Sequence, residues 1–120
     1  MDLELEYREG VLFVRPGGEV DIRVTDDLRS ILEDSLGKNS VNHLVFNLSR
    51  VSFIDSSGLG VILGRYKRLA QQGGRVSLVA PQPQVRRVLV LSGLLTVLKE
   101  YSSEEDAVAA GGTTRGNKDA

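Results

Sequence analysis

A chain of 120 residues with no cysteine and a formal net charge of −1 has room for one compact domain and excludes disulfide scaffolds, thiolate zinc sites and cysteine nucleophiles. Fifteen Lys and Arg against sixteen Asp and Glu leave none of the basic excess that nucleic acid attracts, and three Phe with three Tyr offer few stacking platforms. Apolar residues at 41% suffice for a globular core, but the longest apolar stretch, Gly58 to Gly64, falls far short of the ~18–20 residues of a membrane span. Neither nucleic acid nor membrane is an expected partner. The start, Met1 to Glu6, is acidic and alternating where an export signal would be basic and then apolar. Together with the missing cysteines this predicts a cytoplasmic protein.

Leu3, Leu5 and Tyr7 alternate with Glu4, Glu6 and Arg8, the period of a half-buried strand, and Glu9-Gly10 leads into Val11-Leu12-Phe13-Val14, so a β-hairpin is predicted. Beyond Pro16-Gly17-Gly18, a short extended piece over Glu19 to Asp21 precedes a first helix. That helix opens on Thr25-Asp26-Asp27, carries Leu28, Ile31, Leu32 and Leu36 at helical spacing, and is expected to end on a left-handed Gly37. His43 to Leu48 reads as a central strand. Ser52 to Ser57 then turns into a second helix whose apolar face is Leu59, Ile62, Leu63, Tyr66, Leu69 and Ala70, stopped by Gly73-Gly74.

Arg75 to Ala80 is the next strand, and Val85, Val88, Leu89 and Ser92 mark a shorter helix before Gly93. Leu95 to Glu100 reads as a last edge strand. Ser102 and Glu105 have the spacing of a capping box, which predicts a final helix over Ser103 to Ala110. Residues 111–120, with no aliphatic side chain larger than alanine, cannot offset the entropy of ordering and are expected to form a mobile tail. The whole reads as an α/β domain over 1–110, with a small mixed sheet of about five strands and helices packed mainly on one face.

The single histidine, His43, sits at the start of the central strand and is expected to be structural or surface. A triad from His43, Asp55 and Ser57 lacks the Gly-x-Ser-x-Gly elbow. Gly58, Gly60 and Gly64 crowd a strand-to-helix transition as in phosphate-binding loops, yet Leu63 interrupts one such pattern and Gly64-Arg65-Tyr66 the other. The carboxylates Asp21, Asp26, Asp27 and Asp55 have no metal-ligand spacing with histidine, so neither metal nor cofactor is supported.

Three glycines in one helix, each costing about 0.8–1.0 kcal/mol against alanine, need an explanation. Gly60 and Gly64 share a helix face, which is either a close packing surface or a flat surface for a partner's backbone. Asp55-Ser56-Ser57 supplies three candidate caps where one is enough.

The run Phe53-Ile54-Asp55-Ser56-Ser57-Gly58-Leu59-Gly60-Val61-Ile62-Leu63-Gly64-Arg65-Tyr66-Lys67 resembles the signature of the STAS domain in anti-sigma factor antagonists. Within that family it is most similar to the antagonists of the sporulation sigma factor F. The likeness extends to Gly18-Glu19-Val20-Asp21, His43 to Leu48, Val85-Arg86-Arg87 and Leu91-Ser92-Gly93-Leu94, and covers about Leu3 to Glu105. It departs after Asp21, where Ile22-Arg23-Val24 stands in place of more polar residues, and in the tail from Thr113.

The resemblance implies a STAS fold and a partner switch without catalysis of its own. An unmodified antagonist binds an anti-sigma factor that is also an ATP-binding serine kinase and so frees the sigma factor; phosphorylation blocks this, and a serine phosphatase reverses it. By position, Ser57 is the implied phospho-acceptor, Asp21 and Asp55 flank it, and Ser56, Gly58 and Leu59 belong to the docking surface, beside the glycine face of Gly60. Such a protein is expected to be monomeric when free. Two other readings use the same residues: a STAS interaction module that regulates a transporter or stress-signalling scaffold, and a small nucleotide-binding protein, against which the missing Walker lysine speaks.

Overall fold

The computed structural model describes residues 1–117, and the side chains of residues 1–111. The chain forms β1 (Leu3–Arg8), β2 (Val11–Val20), α1 (Thr25–Lys38), β3 (His43–Asn47), β4 (Arg50–Ile54), α2 (Ser56–Ala70), β5 (Arg75–Val79), α3 (Pro83–Leu91), a 3-10 turn at Leu94–Thr96, β6 (Lys99–Tyr101) and α4 (Glu104–Asn117). The sheet runs β1-β2-β3-β5-β6, with β4 paired to β2. Among the described residues only β1 and β2 pair antiparallel; the other pairs are parallel. The hairpin turns on Glu9 and Gly10 with φ of 50° and 85°, the two positive values that the tightest hairpin loops need.

β2 is longer than its sequence suggests. Pro16-Gly17-Gly18 does not end it; the strand pairs with β3 over Val11–Val14 and then with β4 over Gly17–Val20, where Ser52 is the extra, unpaired residue of a bulge in β4. Val20 pairs with Ile54, which sets the loop after β2 beside the start of α2. β4 is the strand absent from the sequence reading. Its burial follows the bulge instead of a clean alternation, with Val51 and Ile54 inside and Phe53 49% exposed.

Other differences are local. Gly37 lies inside α1, which ends at Asn39 in extended backbone, so no left-handed residue terminates it. The edge strand begins only at Lys99, because a left-handed Gly93 starts the 3-10 turn that buries Leu94. The cap of α4 is Ser103, whose hydroxyl accepts the Asp106 N–H at 3.0 Å, one residue later than expected. α4 runs past Ala110, and Gly111 lies buried against the His43 ring: a Cβ there would stand 3.1 Å from its Nδ1. Residues 118–120 of the expected tail lie outside the described residues.

The main core lies between one face of the sheet and α1, α2 and α3, with Leu12, Leu44, Phe46 and Leu78 meeting Leu28, Leu32, Ile62, Leu69 and Leu89. α4 covers the opposite face through Ala107 and Val108 against Phe13, Val45 and Val79. His43 is 3% exposed, and its Nε2 is 2.8 Å from the Ser77 hydroxyl on β5, a structural placement. The buried stripe of α2 is Gly58, Val61, Ile62, Arg65 and Leu69, rotated from the expected one; Leu59, Leu63 and Tyr66 sit at its margin and Ala70 is exposed. The rotation serves two neighbours at once, the sheet and α1, where Arg65 Nε meets Glu33 Oε2 at 2.8 Å.

Candidate functional site

The site is built where α2 begins. Asp55, in extended backbone at φ −110°, is the N-cap. Its Oδ1 accepts from the N–H groups of Ser57 (2.9 Å) and Gly58 (3.1 Å) and from the Ser57 hydroxyl (2.6 Å). The two backbone N–H groups are among the orphan donors that every helix start leaves open. Asp55 Oδ2 accepts the N–H of Ile22 at 3.1 Å, so one carboxylate ties α2 to the loop after β2. The Ser57 hydroxyl above all, then the backbone N–H groups of Gly58, Ile22 and Ser57, hold the Asp55 carboxyl below the usual range against a desolvation that pushes it up.

The Ser57 oxygen also accepts from the Thr25 hydroxyl at 3.2 Å. Thr25 is the first residue of α1 and is 2% exposed. The two helices therefore start side by side, and the half-buried Ser57 stands between them with its proton committed to Asp55. Thr25 was readable only as part of an acidic helix start; nothing local links it to a serine 32 positions on.

Of the flanking residues, Asp55 touches Ser57 and Asp21 is turned away. Asp21 Oδ1 and Oδ2 accept from the Arg23 guanidinium at 2.6–3.1 Å, and Arg23 also reaches Glu19 at 2.5 Å. Arg23 holds the Asp21 carboxyl below its ordinary range. The Asp21 carbonyl meanwhile accepts the N–H groups of Val24 (2.9 Å) and Thr25 (3.1 Å), and so starts α1.

The glycines divide by environment. Gly58 is buried, and a Cβ on it would lie 2.6 Å from Ile54 Cγ1 and 2.8 Å from the Val20 carbonyl, so its place is explained by close packing of α2 on the sheet. At Gly60 and Gly64 a Cβ would meet nothing within 4 Å, and Gly60 is exposed. These two leave a flat strip on the outside of α2. Ser56 is exposed and Leu59 half-buried against the core margin, so of the expected docking residues Ser56, Leu59 and Gly60 have surface to offer and Gly58 does not.

A sheet of this order, with a capped serine where the loop after β2 meets α2, is the architecture of a small α/β interaction domain, and residues 2–107 match the STAS domain family. The chain is 39% identical over 108 residues to the anti-sigma F factor antagonist of Paenibacillus polymyxa, covering 90% of this chain and 92% of that one. Among solved structures it is similar to the anti-sigma factor antagonist SpoIIAA in its unphosphorylated form, with a TM-score of 0.80 at 32% identity over 92% of this chain and 96% of that one. The phosphorylated form of the Bacillus SpoIIAA gives a TM-score of 0.72 at 31% identity, over 90% and 97%. The chain belongs to the STAS-domain family of anti-sigma factor antagonists. Among the described residues, no helix is long and apolar enough to cross a membrane.

Proposed function

We propose that this protein is a phosphorylation-controlled antagonist acting in the cytoplasm, with no catalysis of its own. Unmodified, it binds an anti-sigma factor that is also an ATP-dependent serine kinase, and the sigma factor is released. Phosphate on Ser57 blocks that binding, and a serine phosphatase restores it. The observation that carries this reading is the Ser57 hydroxyl, half-buried at the start of α2 and oriented at 2.6 Å by the carboxylate that caps the helix. That a relative, SpoIIAA, has a phosphorylated and an unphosphorylated form adds support.

A phosphoserine carries about −1.5 to −2 charge at pH 7. At a helix start the dipole favours that charge, so the fold tolerates it. The surroundings oppose it at an interface: the O–H that Asp55 accepted is gone, and two negative groups stand together at the surface to be desolvated. Asp21 contributes less to this opposition than Asp55, since Arg23 already neutralises it.

The test is incubation with purified anti-sigma factor serine kinases and ATP, followed by mass mapping. Phosphate is expected on Ser57, with Ser57→Ala unmodified and still binding. Ser57→Asp is expected to bind more than tenfold more weakly with its fold intact, and Gly60→Leu adds bulk without charge as a steric control. Phosphate mainly on Ser56, or full binding by Ser57→Asp, would defeat the proposal.

A further inference from the structure

Ile22 is 73% exposed, in the loop that joins β2 to α1. Its own N–H donates to Asp55 Oδ2 at 3.1 Å, and that of Arg23 to Asp21 Oδ1 at 3.0 Å. The next two, of Val24 and Thr25, donate to the Asp21 carbonyl at 2.9 and 3.1 Å. Every backbone donor from 22 to 25 is therefore satisfied, and the backbone holds the Ile22 side chain out in water without support from the core. A lone exposed aliphatic residue is ordinary. One fixed on a rigid loop is different, because the entropy of ordering it is already spent before any partner arrives.

Its position is equally specific. The carboxylate that accepts the Ile22 N–H through Oδ2 accepts the Ser57 hydroxyl through Oδ1. Ile22 is thus one side chain away from the serine, on the same end of the sheet. The ground around it is acidic: between positions 19 and 29 stand Glu19, Asp21, Asp26 and Asp27 against Arg23 and Arg29. Arg23 is engaged by Glu19 and Asp21, and Arg29 by Asp26. A complementary surface needs an apolar recess for Ile22 and positive charge at its border.

We infer that Ile22 is the apolar anchor of the docking face around Ser57, received by a partner protein through an apolar pocket bordered by Lys or Arg side chains. This rests on the reading of Ser57 as a regulated partner-binding site. The anchor is separable from the switch, since Ile22 contributes contact and Ser57 contributes control. It is also a candidate for partner choice, because only a partner with a recess of the right size gains from it.

The measurement is the affinity of the full-length protein for the anti-sigma factor serine kinase that modifies it, beside the unfolding midpoint of each variant. Ile22→Ser is expected to lose at least tenfold in affinity with an unchanged midpoint, Ile22→Val to stay close to wild type, and wild-type affinity to fall as salt is raised. Wild-type affinity in Ile22→Ser, alongside a loss in Ser57→Asp, overturns the anchor and leaves the Ser57 reading standing. A lowered midpoint in Ile22→Ser overturns it as well, by making Ile22 a structural residue. Failure of every kinase tested to bind or phosphorylate the wild-type protein overturns both.

Discussion

On one face of the sheet, α1, α2 and α3 press Leu28, Leu32, Ile62, Leu69 and Leu89 into a continuous apolar layer. On the other, α4 meets Phe13, Val45 and Val79 through the small side chains of Ala107 and Val108. There a polar clamp takes over much of the positioning. Glu104, at the first turn of α4, accepts from Arg15 Nε at 2.7 Å and Nη2 at 2.9 Å, and from Asn47 Nδ2 at 2.9 Å. Arg15 is held in turn by Glu4 and Glu6, and its guanidinium lies 5.3 Å from the centre of the Phe13 ring. Burial is non-directional, so it can seat three helices while leaving their outer faces free; a bidentate Arg–carboxylate pair fixes one helix at one point and one angle. The candidate site belongs to the first side, where packing sets α1 and α2 in place and leaves their starts open to a partner.

The largest effect that tests this contrast is at Leu32, fully buried in α1. Leu32→Ala is expected to cost about 2–5 kcal/mol in urea unfolding, through lost burial and the cavity left behind. A loss below about 1 kcal/mol would mean that the three-helix face is not what holds the domain. Next is Gly58→Ala. The new methyl must displace Ile54 or the Val20 carbonyl, so the expected loss is about 1–3 kcal/mol despite better helix propensity. An equal or higher unfolding midpoint would show that α2 can lift from the sheet at no cost.

Glu104→Gln sharpens the other half of the comparison, with an expected loss of about 1–2 kcal/mol at pH 7. Arg15 above all, with Asn47 after it, holds the Glu104 carboxyl below its ordinary range against desolvation. A depressed folded value means that the stabilisation is complete above the unfolded value of about 4.3 and is lost as the pH falls from there through the folded value. The difference between wild type and Glu104→Gln should therefore close below about pH 4.3 and stay constant above it. A gap that persisted at low pH would assign the loss to packing. The smallest effect expected is a gain: Gly60→Ala, into open space, should add up to about 1 kcal/mol. A loss in the same thermal unfolding measurement would show that Gly60 is not on the outside of the fold.

Several features are legible in the chain because their causes lie within a few residues. The hairpin needs only Glu9-Gly10 between two alternating runs, and α2 needs only an acidic cap before a helical pattern and a left-handed Gly73 after it. The Asp55-Ser56-Ser57 cap was visible for the same reason, and so was the candidacy of Ser57. β4 was not legible, since five residues interrupted by a bulge at Ser52 carry no period of their own. The expected and observed stripes of α2 differ because its burial is shared between the sheet and α1, and periodicity alone does not say from which direction the second neighbour comes.

What the sequence by itself determined is therefore the order of elements apart from β4, the turn and cap chemistry, and a serine at a helix start within a familiar run of residues. The tertiary structure decided which of those residues meet. Gly58 and Gly60 are the same residue type two positions apart in one helix, yet one is pressed against the Val20 carbonyl and the other faces open space. Asp21 and Asp55 both looked like flanks of Ser57; Arg23 claimed the first, and the second became the hub joining Ser57 to Ile22. Thr25 reached Ser57 only because α1 and α2 pack with their starts adjacent. The physical reason is common to all three: hydrogen bonds within a cap are set by neighbours in the chain, whereas contacts across elements depend on how apolar faces seat the helices on the sheet.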